Sequence, residues 1–120
     1  MDIKPGGEGT NLPRVETDIV VVVTTIDSVD AAHELAKSAV GARLAACAQV
    51  LGPMTSVYWW NGAVDEAREW RVECKTTANR AGDLRDHLRG VHSYDVPEIV
   101  CLPVVGGADS YLTWVRDNVR

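Results

Sequence analysis

The sequence predicts an α+β fold with the element order β-α-β-β-α-β and one further helix at the C-terminus. Two stretches with helical apolar stripes separate strand-like runs that are rich in β-branched residues. Asn61-Gly62 directly joins two of these runs, and this dipeptide is a strong signal for a β-hairpin. Apolar and polar residues alternate after that turn, as in a half-buried strand. The order corresponds to a ferredoxin-like split β-α-β arrangement.

The first strand is predicted at residues 18–25, DIVVVVTT, which are apolar on both faces like a central buried strand. Asp27 or Ser28 is expected to cap the first helix, with Asp30 favourably placed against the helix dipole. Arg43 is expected to close this helix. Its predicted stripe consists of small and branched residues: Ala32, Leu35, Ala36, Ala39 and Val40.

The next two strands are unusually long, because extended-compatible residues run over 46–60 and 63–77. Pro53 after Gly52 is expected to bulge or kink the first of them. At roughly 3.3 Å per residue, a 14-residue strand reaches about 46 Å. A compact domain of this size, with a radius of gyration near 13 Å, is only about 35 Å across. The hairpin is therefore predicted to project from its subunit.

In the returning strand, Trp70, Val72, Cys74 and Thr76 share one face. We expect that face to lack a helix and, with the hairpin aromatics, to form a self-association surface. The residues expected at the interface are apolar or aromatic: Tyr58, Trp59, Trp60, Trp70 and Val72. In the alternative interpretation, the C-terminal helix folds back over this face and the hairpin is shorter.

The second half of the chain supplies two helices and the last strand. Asn79 is the predicted cap of a helix with the stripe Ala81, Leu84, Leu88 and Val91. Gly90 is expected near its C-cap. The strand PEIVCLPVV follows at residues 97–105, and Asp109 or Ser110 is expected to cap the short final helix.

Composition excludes several classes of partner. The net charge of −5 argues against a nucleic-acid partner, which requires clustered basic residues. No apolar run reaches the roughly 18 residues that span a bilayer, so no membrane association is expected. Residues 1–16 lack a signal-peptide pattern and are interpreted as a disordered tail before a single domain at 17–120. A cytoplasmic location with three reduced cysteines is expected.

Five ordered blocks resemble the CutA divalent-cation tolerance family. They are RLAACAQV, SVYWWNGAVDEAREW, ECKTT, HSYDVPEIVCLPV and YLTWV, at residues 43–50, 56–70, 73–77, 92–104 and 111–115. The resemblance covers residues 19–120. It implies a ferredoxin-like subunit in a homotrimer with an architecture similar to PII signalling proteins. It also implies a role in tolerance to copper and other divalent metals, copper binding and no enzymatic activity.

The chain departs from the family pattern at four positions. Gln49 stands where the family usually has Asn, and Ser93 where it usually has Pro. Thr24 and Val91 occupy positions at which some members have cysteine and histidine. A metal site that used those two positions would lack both ligands here.

HSYDVPE provides the candidate metal ligands. His92 and Glu98 suit zinc or copper if the loop turns back, and Cys47 is a further candidate. Cys47 or Cys101 of a neighbouring subunit would complete such a site. No cofactor is required, but Cu(II) or another divalent metal is a candidate ligand. In the alternative interpretation, His92 and Tyr94 orient the loop and Glu98 pairs with Lys75.

Lys75, Glu73 and Tyr94 are the candidate residues of a cleft between subunits that takes a small anionic or metal-bound ligand. A plain ion pair between strands is the alternative for Lys75. Cys74 and Cys101 fall inside predicted strands and are expected to be buried and inert. The absence of a CxxC pair argues against thioredoxin-like chemistry and zinc knuckles. His33 and His87 are expected at the surface.

Two other functions are alternatives. A small ferredoxin-like hydrolase or thiol-dependent enzyme is the main alternative. However, the first loop, TTIDS, has neither a glycine-rich phosphate cradle nor an arginine. Nucleic-acid binding through the open sheet would need exposed aromatics on the central strands and a basic surround. The first strand is instead aliphatic and the protein is acidic.

Overall fold

The computed structural model describes residues 17–120, so the tail predicted at residues 1–16 lies outside the described part. One four-stranded antiparallel sheet has the strand order β2-β3-β1-β4. The elements in chain order are β1 (Ile19–Ile26), α1 (Val29–Gly41), β2 (Cys47–Trp60), β3 (Ala63–Thr77), α2 (Ala78–Val91), β4 (Ile99–Pro103) and α3 (Asp109–Asn118). This is the predicted order. No helix within 17–120 is long and apolar enough to cross a bilayer.

The main core lies between the sheet and helices α1 and α2. Val22 of β1 is paired with Cys74 of β3, and Thr24 with Val72, so these side chains share the helix-covered face. Leu35 and Leu84 close this core from the two helices. Burying this apolar layer is the main stabilising contribution to the subunit.

The predicted interface position of Val72 is wrong. Its side chain is fully buried in the core of its own subunit, so it does not form a contact with another chain. The predicted alternation is confirmed, but the predicted open face is wrong, because α1 and α2 cover the face that carries Val72 and Cys74. Trp70, partly buried, packs against the same core.

Within residues 17–120, the opposite face of the sheet is covered at one end, by α3. Leu112 and Val115 of this helix pack with Ile19 and Ala46 in a second, smaller core. Asp18 and Arg116 join the start of β1 to α3 through an ion pair of 2.7 Å. The proposed fold-back of the C-terminal helix therefore occurs, but at one end of the other face.

The long hairpin is confirmed. β2 and β3 pair from Cys47–Lys75 to Trp60–Ala63, with an irregularity between Leu51 and Met54 where Pro53 predicted one. At the turn, Asn61 and Gly62 have φ values of 50° and 79°, as a two-residue type I′ turn requires. The radius of gyration of 16.5 Å exceeds the roughly 13 Å of a compact domain. The alternative of a shorter hairpin is therefore wrong.

The helix caps agree with the sequence at only one of three positions. Ser28 caps α1 by accepting a hydrogen bond of 3.2 Å from the backbone nitrogen of Ala31. The predicted caps of the other helices are wrong, because α2 begins directly at the end of β3 with Thr77 as its N-cap. The N-cap of α3 is Ala108, which provides no side-chain hydrogen bond.

Candidate functional site

The face of the sheet that α1 and α2 do not cover carries the polar groups of interest. We call its four-stranded part beyond α3 the open face. Alternation along the paired strands places the following side chains on it: Val21, Val23, Cys47, Gln49, Leu51, Arg71, Glu73, Lys75, Val100 and Leu102. β3 supplies a polar row in the middle, and β1 and β4 supply an apolar region beside it.

Two polar contacts fix the side chains of the polar row on β3. Lys75 Nζ donates to Gln49 Oε1 across 2.5 Å, while Arg71 Nε donates to Glu73 Oε2 across 2.9 Å. The predicted Lys75–Glu98 pair is absent from the ion pairs of residues 17–120. Glu98 is exposed. Lys75 and Glu73 therefore do share a face, and the partner of Lys75 is a neutral amide.

Cys47 lies where the open face meets α3. Its Sγ is 3.3 Å from Tyr111 Oη, and the Tyr111 ring stacks on Trp114 with centroids 5.7 Å apart. The hydrogen bond with Cys47, followed by burial, raises the pKa of Tyr111 to about 12. The phenol therefore remains protonated at neutral pH. Tyr111 and Gln49 were missed as site residues, although YLTWV and the unusual Gln49 were visible in the sequence.

His92 is held by backbone groups through both ring nitrogens. Nε2 lies 2.8 Å from the carbonyl oxygen of Thr25, and Nδ1 accepts a 3.0 Å hydrogen bond from the backbone nitrogen of Tyr94. Because a carbonyl only accepts, Nε2 carries the proton. Neither nitrogen has a free lone pair for a metal, so the loop-orienting role describes this buried side chain and the ligand role does not.

Tyr94 lies at the other end of β3 from Lys75. Its hydroxyl donates to Glu69 Oε2 across 2.9 Å, and Glu69 precedes Lys75 by six residues, about 20 Å along a strand. Burial, followed by the hydrogen bond to Glu69, raises the pKa of the Tyr94 phenol. Tyr94 therefore supports the loop after α2 and does not join the site of Lys75 and Glu73.

The predicted metal ligands are not brought together. Within residues 17–120, no group of three or more His, Cys, Asp or Glu side chains could hold a metal ion. The Thr24 hydroxyl is buried without a hydrogen-bond partner among the described residues. Val91 is 51% exposed. A subunit alone thus offers single candidate ligands at Cys47 and Glu98.

The predictions for the other cysteines and histidines are confirmed at some positions and wrong at others. Cys74 is fully buried, and burial raises its pKa to about 12. Cys101 is exposed, so the expectation of a buried thiol is wrong: β4 is an edge strand that the helices do not cover there. His33 is exposed, as expected, whereas His87 is partly buried and 2.6 Å from Ser38 Oγ.

The fold and this face define a class: small ferredoxin-like α+β proteins with an extended hairpin and an open sheet face. The family model for the CutA1 divalent ion tolerance protein matches residues 20–118. The chain therefore belongs to the CutA1 divalent ion tolerance family.

Relatives and solved structures agree with this assignment. The divalent-cation tolerance protein CutA of Thermus thermophilus is 41% identical over 98 residues, 82% of this chain and 95% of the relative. The chloroplastic CutA protein of Arabidopsis thaliana is 38% identical over 84% of this chain, which spans only 56% of that relative. The crystal structure of CutA from Xylella fastidiosa has a TM-score of 0.84 at 28% identity, covering 87% of this chain and 100% of that one.

Proposed function

We propose that the chain forms a homotrimer, similar in architecture to PII signalling proteins, that serves divalent-cation tolerance by binding a metal or small ligand in clefts between subunits. The observation that carries the proposal is the long hairpin, whose apolar side chains are uncovered in the single subunit. Trp59 is 74% exposed, and Val57, Trp60 and Val64 beside it are also exposed. Such a surface on a projecting hairpin is typical of an interface.

The strand edges support self-association. β2 and β4 are the two edges of the sheet, and β2 is 14 residues long. A long edge strand presents unpaired backbone groups, and these are aggregation templates unless another strand or element covers them. Val100 and Leu102 of β4 are exposed on the open face. Sister subunits would cover these features together.

The proposal assigns the clefts to the open face where α3 reaches the sheet. Lys75, Gln49 and Glu73 line this region, and Cys47 lies at the contact with Tyr111. Cys47 and Glu98 remain the candidate ligands for Cu(II) or another divalent metal. Each is a single ligand in its own subunit, so a neighbouring subunit would supply the other ligands of a site. His92 is left out, since both its ring nitrogens bind backbone groups.

A non-enzymatic role is part of the proposal. The Cys74 thiol is buried, and its raised pKa disfavours the thiolate that nucleophilic chemistry requires. Cys47 has a tyrosine hydroxyl beside it. The described residues offer no histidine contact to either thiol among their hydrogen bonds.

The hydrolase alternative has one contact in its favour. Ser38 Oγ lies 2.6 Å from His87 Nε2, beside a cavity of about 390 Å³ that Glu34 and Ser93 help to line. However, Ser38 lies inside α1, so its backbone N–H is used in a hydrogen bond of the helix. No residue within 17–120 forms a hydrogen bond that orients the other ring nitrogen of His87. The pair is better explained as a link between α1 and α2.

A cytoplasmic location completes the proposal. The free cysteines Cys47, Cys74 and Cys101 suit a reducing compartment. The Arabidopsis relative is named chloroplastic, so the location is to be measured by fractionation. Recovery of the native protein outside the cytoplasm would contradict this part.

The function is tested by growth and by titration. Expression of the chain in bacteria that lack their own family member is expected to extend growth to higher copper concentrations. Trp59→Lys/Val64→Lys should lose this protection, and Val96→Lys, in an exposed loop position, should keep it. Calorimetric titration with CuCl2 then compares the wild type with Cys47→Ala/Glu98→Ala. Equal protection by the wild type and by Trp59→Lys/Val64→Lys would contradict the role of the assembly.

A further inference from the structure

We propose that the polar end of the open face binds a small oxyanion, a polycarboxylate or a phosphate, through Lys75, Gln49 and Tyr111. A divalent cation then reaches this site as part of an anionic chelate. The inference rests on the proposed function in one respect, namely that the open face borders a cleft in the assembly. It names the class of ligand that the cleft takes.

The charge of the open face favours an anion. Three of the side chains that alternation places on this face are charged: Arg71, Glu73 and Lys75. The carboxylate of Glu73 forms an ion pair of 2.9 Å with Arg71. Lys75 has the neutral amide oxygen of Gln49 as its partner. Among the residues that the structure describes, the ammonium group of Lys75 is thus the charge of this row that has no ion-pair partner.

The polar atoms near Lys75 are mostly hydrogen-bond donors. Gln49 uses its oxygen to accept from Lys75, so its amide nitrogen retains two N–H donors. Cys47 is paired with Lys75 across the strands, which places the two side chains together on one face. The Tyr111 hydroxyl lies 3.3 Å from that thiol. Ammonium and amide donors suit an oxyanion, because charge-assisted hydrogen bonds to oxyanions are short and strong. The Tyr111 hydroxyl has one proton, so it joins them by turning from the thiol to the ligand.

At Cys47, the same arrangement favours a chelated metal over a free metal ion. A cation bound to the Cys47 sulfur would lie beside the ammonium group of Lys75, and two like charges at short range repel each other. Within residues 17–120, no cluster of three ligating side chains offsets this repulsion. A metal chelated by a polycarboxylate avoids the conflict, since the complex presents carboxylate oxygens to Lys75.

Apolar side chains around the polar end would strengthen the interaction. Val21 lies beside Lys75 on β1, and Leu102 of β4 is paired with Val21, one strand further away. Trp114 stacks on the Tyr111 ring. Leu102 is 43% exposed in the subunit, so it is available to a ligand or to a sister chain. Partial exclusion of water there lowers the local dielectric and strengthens each charge-assisted contact.

Calorimetric titration of the full chain at neutral pH tests the inference with citrate, inorganic phosphate, CuCl2 and copper citrate as separate probes. We expect citrate or phosphate to saturate the wild type. Lys75→Met should weaken that binding by about 10-fold or more, since it removes the charge and keeps the length. Lys37→Met, on the exposed side of α1, is the matched control and should leave it unchanged. Copper citrate should bind the wild type and lose affinity in Lys75→Met in the same way as citrate.

A second variant keeps the test valid if Lys75→Met misfolds. Gln49→Glu retains Lys75 but places a carboxylate against its ammonium group, so it should also weaken oxyanion binding. The inference is overturned if neither citrate nor phosphate gives saturable heat. It is also overturned if CuCl2 alone saturates the wild type and binds more tightly after Lys75→Met.

Light scattering on the same samples separates this inference from the proposed function. A trimeric wild type that binds no oxyanion overturns the ligand class and leaves the trimer intact. A protein that has the mass of one chain removes the proposed assembly itself.

Discussion

His92 joins the end of α2 to the end of β1, because its Nε2 donates to the carbonyl oxygen of Thr25 across 2.8 Å. The other ring nitrogen accepts from the backbone of Tyr94, and the rings of His92 and Tyr94 lie 4.7 Å apart. These contacts fix the start of the loop that leads to β4. The most prominent candidate metal ligand of the sequence is therefore a structural residue.

Replacing His92 tests that role. His92→Ala leaves the backbone nitrogen of Tyr94 and the carbonyl of Thr25 without their partners, and it empties a buried position. We expect a loss of about 2–4 kcal/mol in the free energy of unfolding. Urea denaturation at one fixed protein concentration measures it. His33→Ala, at an exposed position of α1, should change stability by less than about 0.5 kcal/mol. A stable variant that has lost copper binding would contradict this account.

Gly52 is expected to tolerate no side chain. Its φ is +144°, and a Cβ atom would lie 2.8 Å from Cδ1 of the Trp70 ring. Gly52→Ala therefore combines backbone strain with a steric clash, and should cost about 1–3 kcal/mol. Thermal unfolding followed by circular dichroism measures the loss. The matched control is Gly90→Ala in α2, where a Cβ meets nothing within 4 Å. It should be neutral or stabilising by up to about 1 kcal/mol. Equal melting temperatures for both variants would be inconsistent with this geometry.

The Cys47–Tyr111 contact predicts an alkaline transition. The pKa of Tyr111 is raised to about 12, chiefly by its hydrogen bond with Cys47. The unperturbed value is about 10. A folded-state pKa above the unfolded one means that this contribution to stability is complete below pH 10 and is lost as the pH rises through 12.

Ultraviolet titration of tyrosinate measures this transition. Cys47→Ala should move the ionisation of Tyr111 down from about 12 towards its ordinary pKa of about 10. Tyr111→Phe should remove that component from the titration curve. Circular dichroism over the same range verifies that the protein stays folded. An unchanged titration curve in Cys47→Ala would show that the thiol does not hold the phenol.

The exposed hairpin predicts which substitutions weaken self-association. Trp59→Lys places a charge on the most exposed tryptophan of the hairpin. We expect dissociation of the assembly to begin at a protein concentration about 10-fold or more above that of the wild type, since buried aromatic anchors dominate interface energies. Sedimentation velocity over a dilution series measures it. Val96→Lys, at an exposed position in the loop before β4, is the control and should dissociate like the wild type.

Most of the fold could be predicted from local signals in the sequence. Asn61-Gly62 requires positive φ values that favour a two-residue turn, and Pro53 interrupts the ladder where the pairing is irregular. Alternation in β3 separates Val72 from Glu73, but it does not determine which of the two faces the helices cover. Handedness and packing of the connections decide that, and they are non-local.

The site could be predicted only in part. Lys75 and Glu73 were expected to share a face, and the period of a strand is sufficient for that. The contacts of Gln49 and Tyr111 depend on residues 26 and 64 positions away in the chain. His92 resembled a ligand by residue type, and only the backbone groups around its ring reveal its structural role.

The mass of the full chain in solution tests the central claim most directly, because that claim is that sister copies complete the long hairpin. Light scattering coupled to gel filtration at micromolar concentration should give three times the 13.0 kDa mass of one chain. A stable, well-behaved particle with the mass of a single chain would contradict the trimer and the clefts that depend on it.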